Sequence, residues 1–420
     1  MKIRPWIVWW MAFMAMPSWA GEAHHHPVGG SVAELLELAK RMNPELAAAA
    51  LERDAAKERV TGAGALPDPG FQLTVDEISR NNAGLPGRGA VYKYTVQQEL
   101  PAWGKREARR AIAEAGQREA EESLTDRIAE VVMRIKTTYA DYHRVHLSMD
   151  QTSELIQVMR ALVEFARLRY AQGMGSQSEA TSAEAERGAL SAELARMEKE
   201  RHRIRARMNA LVNRPPDAPL VEHPQLRPLP DESALDFTTL MERAMVANPG
   251  LKQQRTRLEG AEEEHRLAQR NWLPDVTLGF GVVERRDEGT PNGFEATMNF
   301  TLPVQTETRR AAEREAEAKK QAAAARVVAA RLHLESTLRE ALLGLAEARQ
   351  VEKTTAEVLL PQARIALQSA IKGYESGTTE AVSVLDAVQR QKKFQIERIK
   401  AQFEQQVRLA EIERLVGGDL

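Results

Sequence analysis

Apolar and polar residues alternate along four short segments of the chain. In the segment 294–302, FEATMNFTL, every second residue is apolar and the residues between are polar. Because successive side chains of a strand point to opposite faces of a sheet, this segment has one apolar and one polar face. The other segments with this pattern are 71–77, 91–99 and 276–284. The alternation predicts two β-hairpins, 71–99 and 276–302.

The hairpins are followed by long runs in which apolar residues recur every three or four positions. In the run 105–171 these residues are Leu124, Ile128, Val131, Ile135, Tyr139 and Tyr142. This spacing predicts one very long helix, roughly 100 Å at 1.5 Å per residue, with a seam like that of a coiled coil. A second run, 306–374, has the same character, and we expect a kink at Pro361.

The two halves of the chain contain the same motifs in the same order, which is the signature of an internal repeat. Each half begins with Asn-Pro inside a helical pattern, which predicts an Asn N-cap followed by Pro at the first helical position. The paired motifs are Asn43-Pro44 and Asn248-Pro249, then Leu100-Pro101 and Leu302-Pro303 at the hairpin ends. We predict a tandem-repeat protomer with a first repeat 21–212, a Pro-rich linker 213–234 and a second repeat 235–420.

The N-terminus predicts export from the cytoplasm. Lys2 and Arg4 precede an apolar run that ends in the small residues Ser18 and Ala20. This is the pattern of a cleaved secretory signal peptide, here 1–20, and the run is too short to be a membrane-spanning helix.

Composition excludes several classes of function. The 420-residue chain has no cysteine, so it has no disulfide, no thiol nucleophile and no lipidated cysteine. Its net charge of -2 gives no reason to expect nucleic acid as a partner. No Ser/His/Asp, Cys/His or metal-ligand spacing is present, so we expect neither an enzyme nor a cofactor.

The length of the predicted strands suggests that they cross a membrane. Each is close to the length that a tilted strand needs to cross an outer membrane. Open sheet edges are not tolerated in lipid, so three chains of four strands would have to close a barrel of about twelve strands. Leu-Pro would end the strand ladder at the rim, since Pro has no N–H to donate. Two ordinary hairpins packed on a soluble core remain the alternative.

These motifs together resemble the TolC-like outer membrane factor family over nearly the whole mature chain. LPDP at 66–69 and WGKREA at 103–108 are most similar to its cobalt–zinc–cadmium efflux branch. The resemblance implies a mainly α fold with a small β part, in which three protomers form a 12-stranded β-barrel continued by a long α-helical periplasmic tunnel. Many relatives carry a lipidated N-terminal cysteine, which this chain lacks.

The resemblance implies an outer-membrane channel in a tripartite efflux pump. Its partners would be two further copies of the chain, outer-membrane lipid, a periplasmic adaptor (membrane fusion) protein and an inner-membrane RND-type transporter. Divalent heavy-metal cations are the expected cargo, with drugs or secreted polypeptide as alternatives. A soluble periplasmic coiled-coil scaffold or adaptor is the alternative from a different class.

The resemblance places two Tyr-x-x-Gly turns at the periplasmic tip. Tyr170 and Gly173 form the first turn, and Tyr374 and Gly377 form the second. Glycine allows the chain to reverse tightly between two helices. In the family this rim contacts the adaptor. An ordinary helical-hairpin turn would have the same sequence.

The resemblance also implies a gate near the tip. The Tyr of the second turn would donate a hydrogen bond to Glu179, and Asp386 would narrow the closed entrance beside Ser383, which stands where the family has a second aspartate. In relatives an Arg reinforces this hydrogen bond, and Thr379 stands in its place here. We therefore expect the contact between Tyr374 and Glu179 to be weak. Alternatively, Tyr374 only packs in the seam and Glu179 only favours its helix N-terminus.

Two groups of histidines are candidates for metal. His24, His25 and His26 follow the predicted cleavage site, and clustered imidazoles can capture divalent ions. A disordered polar tail is the alternative, so we assign no metal ligands. His143 and His146 share a helix face, but nothing in the sequence makes them a site.

Overall fold

The computed structural model describes residues 27–76, 90–285 and 291–420. The predicted signal peptide, the three consecutive histidines and most of both hairpin loops lie outside the described residues. In the described part, the element order helix, helix, strand, strand, long helix and helix occurs twice.

Helices make up most of the described chain. They are α1 (Val32–Met42), α2 (Pro44–Ala63), α3 (Lys105–Ala171), α4 (Gln177–Leu211), α5 (Phe237–Ala247), α6 (Pro249–Arg270), α7 (Thr306–Thr354), α8 (Leu360–Glu375) and α9 (Ala381–Val416). The prediction of one helix over 105–171 is confirmed by α3. Of the helices that the structure describes, none combines the length and apolarity needed to cross a membrane.

Two asparagines start the second helix of each half as predicted. Asn43 Oδ1 accepts hydrogen bonds from the N–H groups of Glu45 and Leu46, at 2.8 and 3.2 Å. Its Nδ2 donates to the Leu211 carbonyl oxygen at 2.8 Å. Asn248 likewise accepts from a backbone N–H of its own helix and donates to the Leu415 carbonyl oxygen at 3.0 Å. Each asparagine therefore both caps a helix and ties it to the end of a remote one.

The second long helical run contains an irregular turn. It divides into α7, a π-helical turn at Thr355–Leu359, and α8. The π-helical turn ends two residues before the predicted kink residue, Pro361. A proline lacks the N–H of the regular helical hydrogen bond, and the preceding turn accommodates its ring by widening.

The strands form one antiparallel sheet in the order β1-β2-β3-β4. They are β1 (Gly70–Asp76), β2 (Val91–Leu100), β3 (Val276–Arg285) and β4 (Gly293–Phe300). The last strand ends at Phe300, two residues before the end predicted from the alternation. Phe300 pairs with Val276, so the residue opposite Leu302 in this register would be Pro274. Proline cannot donate to the ladder, and pairing stops.

The apolar core runs along the helices rather than under the sheet. Val131, Ile135, Tyr139 and Tyr142 of α3 are buried in one cluster with residues of α1 and α4, as the predicted seam requires. A second cluster lies towards the turns between the long helices and includes Tyr374.

A buried ion pair joins the two halves. Lys136 Nζ of α3 lies 2.8 Å from Glu413 Oε2 of α9, and both side chains are buried. Arg227 of the linker also contacts Glu413, at 3.1 Å. A buried charge is tolerated only when it is paired, so this contact requires α3 and α9 to pack in one register.

Candidate functional site

The two predicted Tyr-x-x-Gly turns have the same backbone. In the first, the Gly173 N–H donates to the Tyr170 carbonyl oxygen at 3.0 Å, and the Met174 N–H donates to that of Arg169 at 2.9 Å. Gly173 has φ 72°, in the left-handed region that favours glycine. This pair of hydrogen bonds is a Schellman motif, which satisfies the last carbonyls of a helix.

The second turn repeats these bonds. The Gly377 N–H donates to the Tyr374 carbonyl oxygen at 3.2 Å, and the Thr378 N–H donates to that of Gly373 at 2.8 Å. Gly377 has φ 78°. In both turns the tyrosine comes three residues before the left-handed glycine, so backbone geometry does not distinguish the two.

The tyrosine side chains differ. Tyr170 is 50% exposed, whereas Tyr374 is 1% exposed. The Tyr374 ring packs edge-on against Phe165 of α3, with 5.5 Å between ring centroids. The buried tyrosine of the second turn is therefore held by the helix that leads into the first turn.

Tyr374 and Glu179, which the sequence analysis paired, are in contact. Tyr374 Oη donates to Glu179 Oε2 at 2.9 Å. Burial, followed by the hydrogen bond to Glu179 and the charge of that carboxylate, raises the pKa of Tyr374 to about 12. Glu179 also lies in the first turn of α4, where its N–H donates to Ser176 Oγ at 3.3 Å. The contact joins α8 to α4, while its role as a gate remains a prediction.

Arg169 is a residue of this cluster that the sequence analysis missed. Its Nη1 donates to the Tyr374 carbonyl oxygen at 2.8 Å, and its Nη2 donates to that of Met174 at 3.1 Å. Its guanidinium carbon also lies 4.8 Å from the Tyr374 ring centroid. One side chain thus binds both turns and supplies charge-assisted bonds. The only feature of the sequence that could have indicated this role of Arg169 is its position directly before Tyr170.

Among the described residues, no hydrogen bond or ion pair joins Ser383 or Asp386, the other predicted gate residues, to Tyr374 or Glu179. Thr379 Oγ1 donates to the Ala370 carbonyl oxygen at 3.3 Å, within the second turn. Ser383 and Asp386 are exposed near the start of α9. Asp386 forms an ion pair with Arg390, one helical turn later. Ser383 and Asp386 are three residues apart and therefore lie on one face of α9.

The sheet has its apolar side chains outside. Phe294 is 79% exposed, and apolar side chains of all four strands are exposed with it, whereas Thr95 on the polar face is 5% exposed. A Cβ added to Gly281 on the polar face would lie 2.6 Å from Thr95 Oγ1, so this face is closely packed. Soluble proteins bury the apolar face of a sheet, and this sheet does the reverse.

The histidines of α3 remain without a metal assignment. Burial and the nearby His146 lower the pKa of His143. Burial also lowers the pKa of His146, whose Nδ1 donates to the Tyr142 carbonyl oxygen at 2.9 Å. Among the described residues, no group of three or more His, Asp or Glu side chains could hold a metal ion.

Comparison with protein families identifies the chain. The model of the outer membrane efflux protein family matches residues 35–214 and 240–418. The chain belongs to the outer membrane efflux protein family. Its members are channel proteins. The prediction of an outer membrane efflux protein is therefore confirmed. No curated protein matches the sequence.

Solved structures share the fold of this outer membrane efflux protein. The outer membrane protein VceC from Vibrio cholerae is 20% identical, with a TM-score of 0.80 over 94% of this chain and 100% of its own. The outer-membrane channel OprN is 18% identical, with a TM-score of 0.79 over 92% and 90%. CusC, whose structures describe transmembrane channel formation, is 16% identical, with a TM-score of 0.72 over 93% of both chains. At these identities, the likeness is one of fold.

Proposed function

We propose that the chain is the outer-membrane channel of a tripartite efflux pump, through which cargo passes without chemistry. The observation that carries this proposal is the exposed apolar face of the sheet. Lipid would cover that face, and the polar face would line a water-filled interior. A soluble coiled-coil scaffold would leave the same apolar side chains in water, so that alternative is not favoured.

The proposed assembly is a homotrimer. The edge strands β1 and β4 each pair with one strand in the described chain. Strand edges in lipid must be paired, and three copies would close a barrel of about twelve strands. The helices would continue its wall as a tunnel through the periplasm. Family membership and the fold support this assembly.

We also propose that the two halves, 21–212 and 235–420, are structural repeats joined by the linker 213–234. The family model matches the chain in two segments, one in each half. The identical backbone of the two Tyr-x-x-Gly turns supports the same division.

The proposed gate is the cluster Arg169, Tyr374 and Glu179, which we call the latch. It joins α3, α4 and α8 at the turn end of the helices, and opening the tunnel would require these helices to separate. Asp386 and Ser383 would face the mouth in the trimer, where a ring of carboxylates attracts cations. The exposed turn residues Tyr170, Gly173 and Gly377 would contact a periplasmic adaptor. An inner-membrane RND-type transporter would complete the pump.

The proposed cargo is divalent heavy-metal cations. It rests on the likeness of the motifs at 66–69 and 103–108 to the cobalt–zinc–cadmium branch. Drugs or secreted polypeptide are the alternative cargo. His24, His25 and His26 would collect cations outside the duct, and deleting them should leave assembly intact and lower metal tolerance only slightly.

Arginine substitutions on the two faces of β4 test the membrane placement. Met298→Arg places a charge on the apolar face, which costs about 2–4 kcal/mol at the bilayer midplane. Asn299→Arg, its neighbour on the polar face, leaves the charge in water. We expect Met298→Arg alone to lower the yield of outer-membrane trimer. Equal yields from both variants would contradict the placement.

Single-channel recording in planar bilayers tests the channel and the latch. Wild-type protein should form channels, and Tyr374→Phe combined with Glu179→Gln should raise their conductance at unchanged trimer yield. Tyr170→Phe is the matched control and should have the wild-type conductance. Absence of any channel would contradict the function. Channels of unchanged conductance in the double variant would contradict only the latch.

A further inference from the structure

A cavity of about 170 Å³ lies between the long helices, where α3, α8 and α9 meet. One wall is apolar and consists of Leu147, Leu360 and Ile399, one residue from each helix. A cavity of roughly 150 Å³ is large enough to hold benzene. This cavity therefore has room for one aromatic ring or an aliphatic group of similar size.

Gln395 is the buried polar group of the cavity. It lines the cavity from α9 and is only 5% exposed. Its Oε1 has no hydrogen-bond partner among the described residues. A buried oxygen without a hydrogen bond is unfavourable, and native proteins contain few of them. The cavity thus offers an acceptor to which a bound molecule could donate a hydrogen bond.

The positive charge of the cavity comes from two arginines in its lining, Arg364 and Arg398. Arg398 Nε donates to Glu352 Oε1 at 3.0 Å, so that carboxylate balances its charge. Arg364 is exposed, and no carboxylate in the described part of the chain lies within ion-pair distance of it. The open side of the cavity therefore has a guanidinium group that is available to an anion.

The cavity adjoins the irregular turn of the second long helical run. Leu360, which belongs to the apolar wall, directly follows the π-helical turn Thr355–Leu359. Gln402 of α9 lines the cavity and donates to Glu352 Oε1 at 3.2 Å, which ties α9 to the helix before that turn. Turns of this kind occur frequently at functional sites. The cavity therefore lies where the regular helix is interrupted.

We propose that this cavity binds a small carboxylate that has an apolar body and a hydroxyl group, of which hydroxybenzoate is a simple example. The carboxylate accepts charge-assisted hydrogen bonds from Arg364 at the open side. The hydroxyl donates to Gln395 Oε1 at the buried side. The apolar body lies between them, against the wall of Leu147, Leu360 and Ile399. This binding site is additional to the proposed function of the chain.

Two simpler classes of ligand satisfy only part of the cavity. An inorganic anion such as phosphate could bind Arg364, but it would leave the apolar wall without a partner. A neutral apolar molecule could cover that wall, but it would leave both Arg364 and the Gln395 oxygen unused. A molecule with all three features uses every part of the lining, so the geometry favours it.

Isothermal titration calorimetry on the mature, detergent-solubilised protein tests the site. The probes are the three hydroxybenzoate isomers, and the comparison compounds are benzoate, phenol and inorganic phosphate, each of which lacks at least one of the three features. We expect one isomer to bind more tightly than all of the comparison compounds. Its advantage over phenol, which lacks the carboxylate, should be about tenfold or more.

Two substitutions separate the contributions of charge and hydroxyl. Arg364→Gln should weaken binding of the best isomer about tenfold or more. Lys372→Gln is the matched control, because it makes the same charge change two turns later on α8 and should leave binding unchanged. Gln395→Leu removes the buried acceptor, so the best isomer should then bind no more tightly than benzoate. Benzoate binding itself should persist in this variant and shows that it is folded.

Several results would overturn the proposal. These are the absence of binding by every isomer, and equal binding of the best isomer to wild type and Arg364→Gln. Phosphate binding as tightly as the best isomer would show a plain anion site and refute the ligand class. A preference for hydroxybenzoate over benzoate that survives Gln395→Leu would refute the role of the buried oxygen. The measurement uses neither a bilayer nor an open channel, so its failure is distinct from failure of the proposed function.

Discussion

The two turns between the long helices have the same motif and the same backbone but different side-chain environments. Both close with a Schellman motif on a left-handed glycine. Tyr170 of the first turn is half exposed, and Tyr374 of the second is buried. The position before the tyrosine also differs, since it is Arg169 in the first turn and Gly373 in the second.

This difference shows that two turns with the same backbone can have different side-chain environments. Gly373 leaves room for the Thr379 side chain, because a Cβ there would lie 2.7 Å from Thr379 Oγ1. Arg169 instead extends from the first turn to the second and binds the Tyr374 backbone. The second turn thus supplies the buried ring, and the first supplies the charged groups around it. The contacts among Arg169, Tyr374 and Glu179 therefore depend on side chains that differ between the two turns.

Truncating the two tyrosines should have the largest and most unequal effect. Tyr374→Ala removes a buried aromatic ring and should destabilise the tip by about 3–5 kcal/mol. Tyr170→Ala removes a half-exposed ring and should change stability by about 0.5 kcal/mol or less. Native-state hydrogen exchange at the turn amides measures the free energy of local opening. Similar values for both variants would show that the turns are equivalent.

Removing Arg169 should have the next largest effect. Arg169→Ala loses hydrogen bonds from a charged group to two carbonyls, which should cost about 1.5–3 kcal/mol of local opening free energy. Arg167→Ala is the matched control, since Arg167 makes only exposed ion pairs with Glu164 and Glu184, which are worth about 0–1 kcal/mol. Conductance should rise for Arg169→Ala only. A control that opens the channel equally would show that Arg169 has no special role.

Substituting alanine for either turn glycine should cost the same free energy, because the two turns have the same backbone. Gly173→Ala and Gly377→Ala each force a Cβ into the left-handed region at a cost of about 1–2 kcal/mol. Beyond the two chain neighbours of each glycine, no atom lies within 4 Å of the added Cβ, so conformational strain is the main cost. The two costs should agree when measured by hydrogen exchange. A marked inequality would mean that the turns differ in backbone strain as well.

Raising the pH should have the smallest effect on conductance until the pH approaches the pKa of Tyr374, about 12. The pKa of Tyr374 is raised, so its contribution to stability is complete below the ordinary tyrosine pKa of about 10. That contribution is lost only as pH rises through about 12. The conductance difference between wild type and Tyr374→Phe should therefore be constant from neutral pH to about pH 10. A difference that disappears near neutral pH would contradict the assigned environment of Tyr374.

Patterns of local origin were read correctly from the sequence. The period of α3, the asparagine caps and the alternation of the strands all depend on neighbours within a few residues. The end of β4 was misplaced by two residues because it depends on which residue of β3 stands opposite, here Pro274. The π-helical turn was expected only as a kink, since a proline predicts an irregularity but not the form that the preceding turn takes.

The sequence by itself therefore determined the elements, the turns and the division of the sheet into an apolar and a polar face, because helix period, capping and strand alternation act over short distances. Only the tertiary structure decided which tyrosine is buried and which arginine binds it. Arg169 and Tyr374 are remote in the chain, and Glu179 reaches them from a third helix. Burial and hydrogen bonding of such side chains depend on how α3, α4 and α8 pack, and no local pattern contains that information.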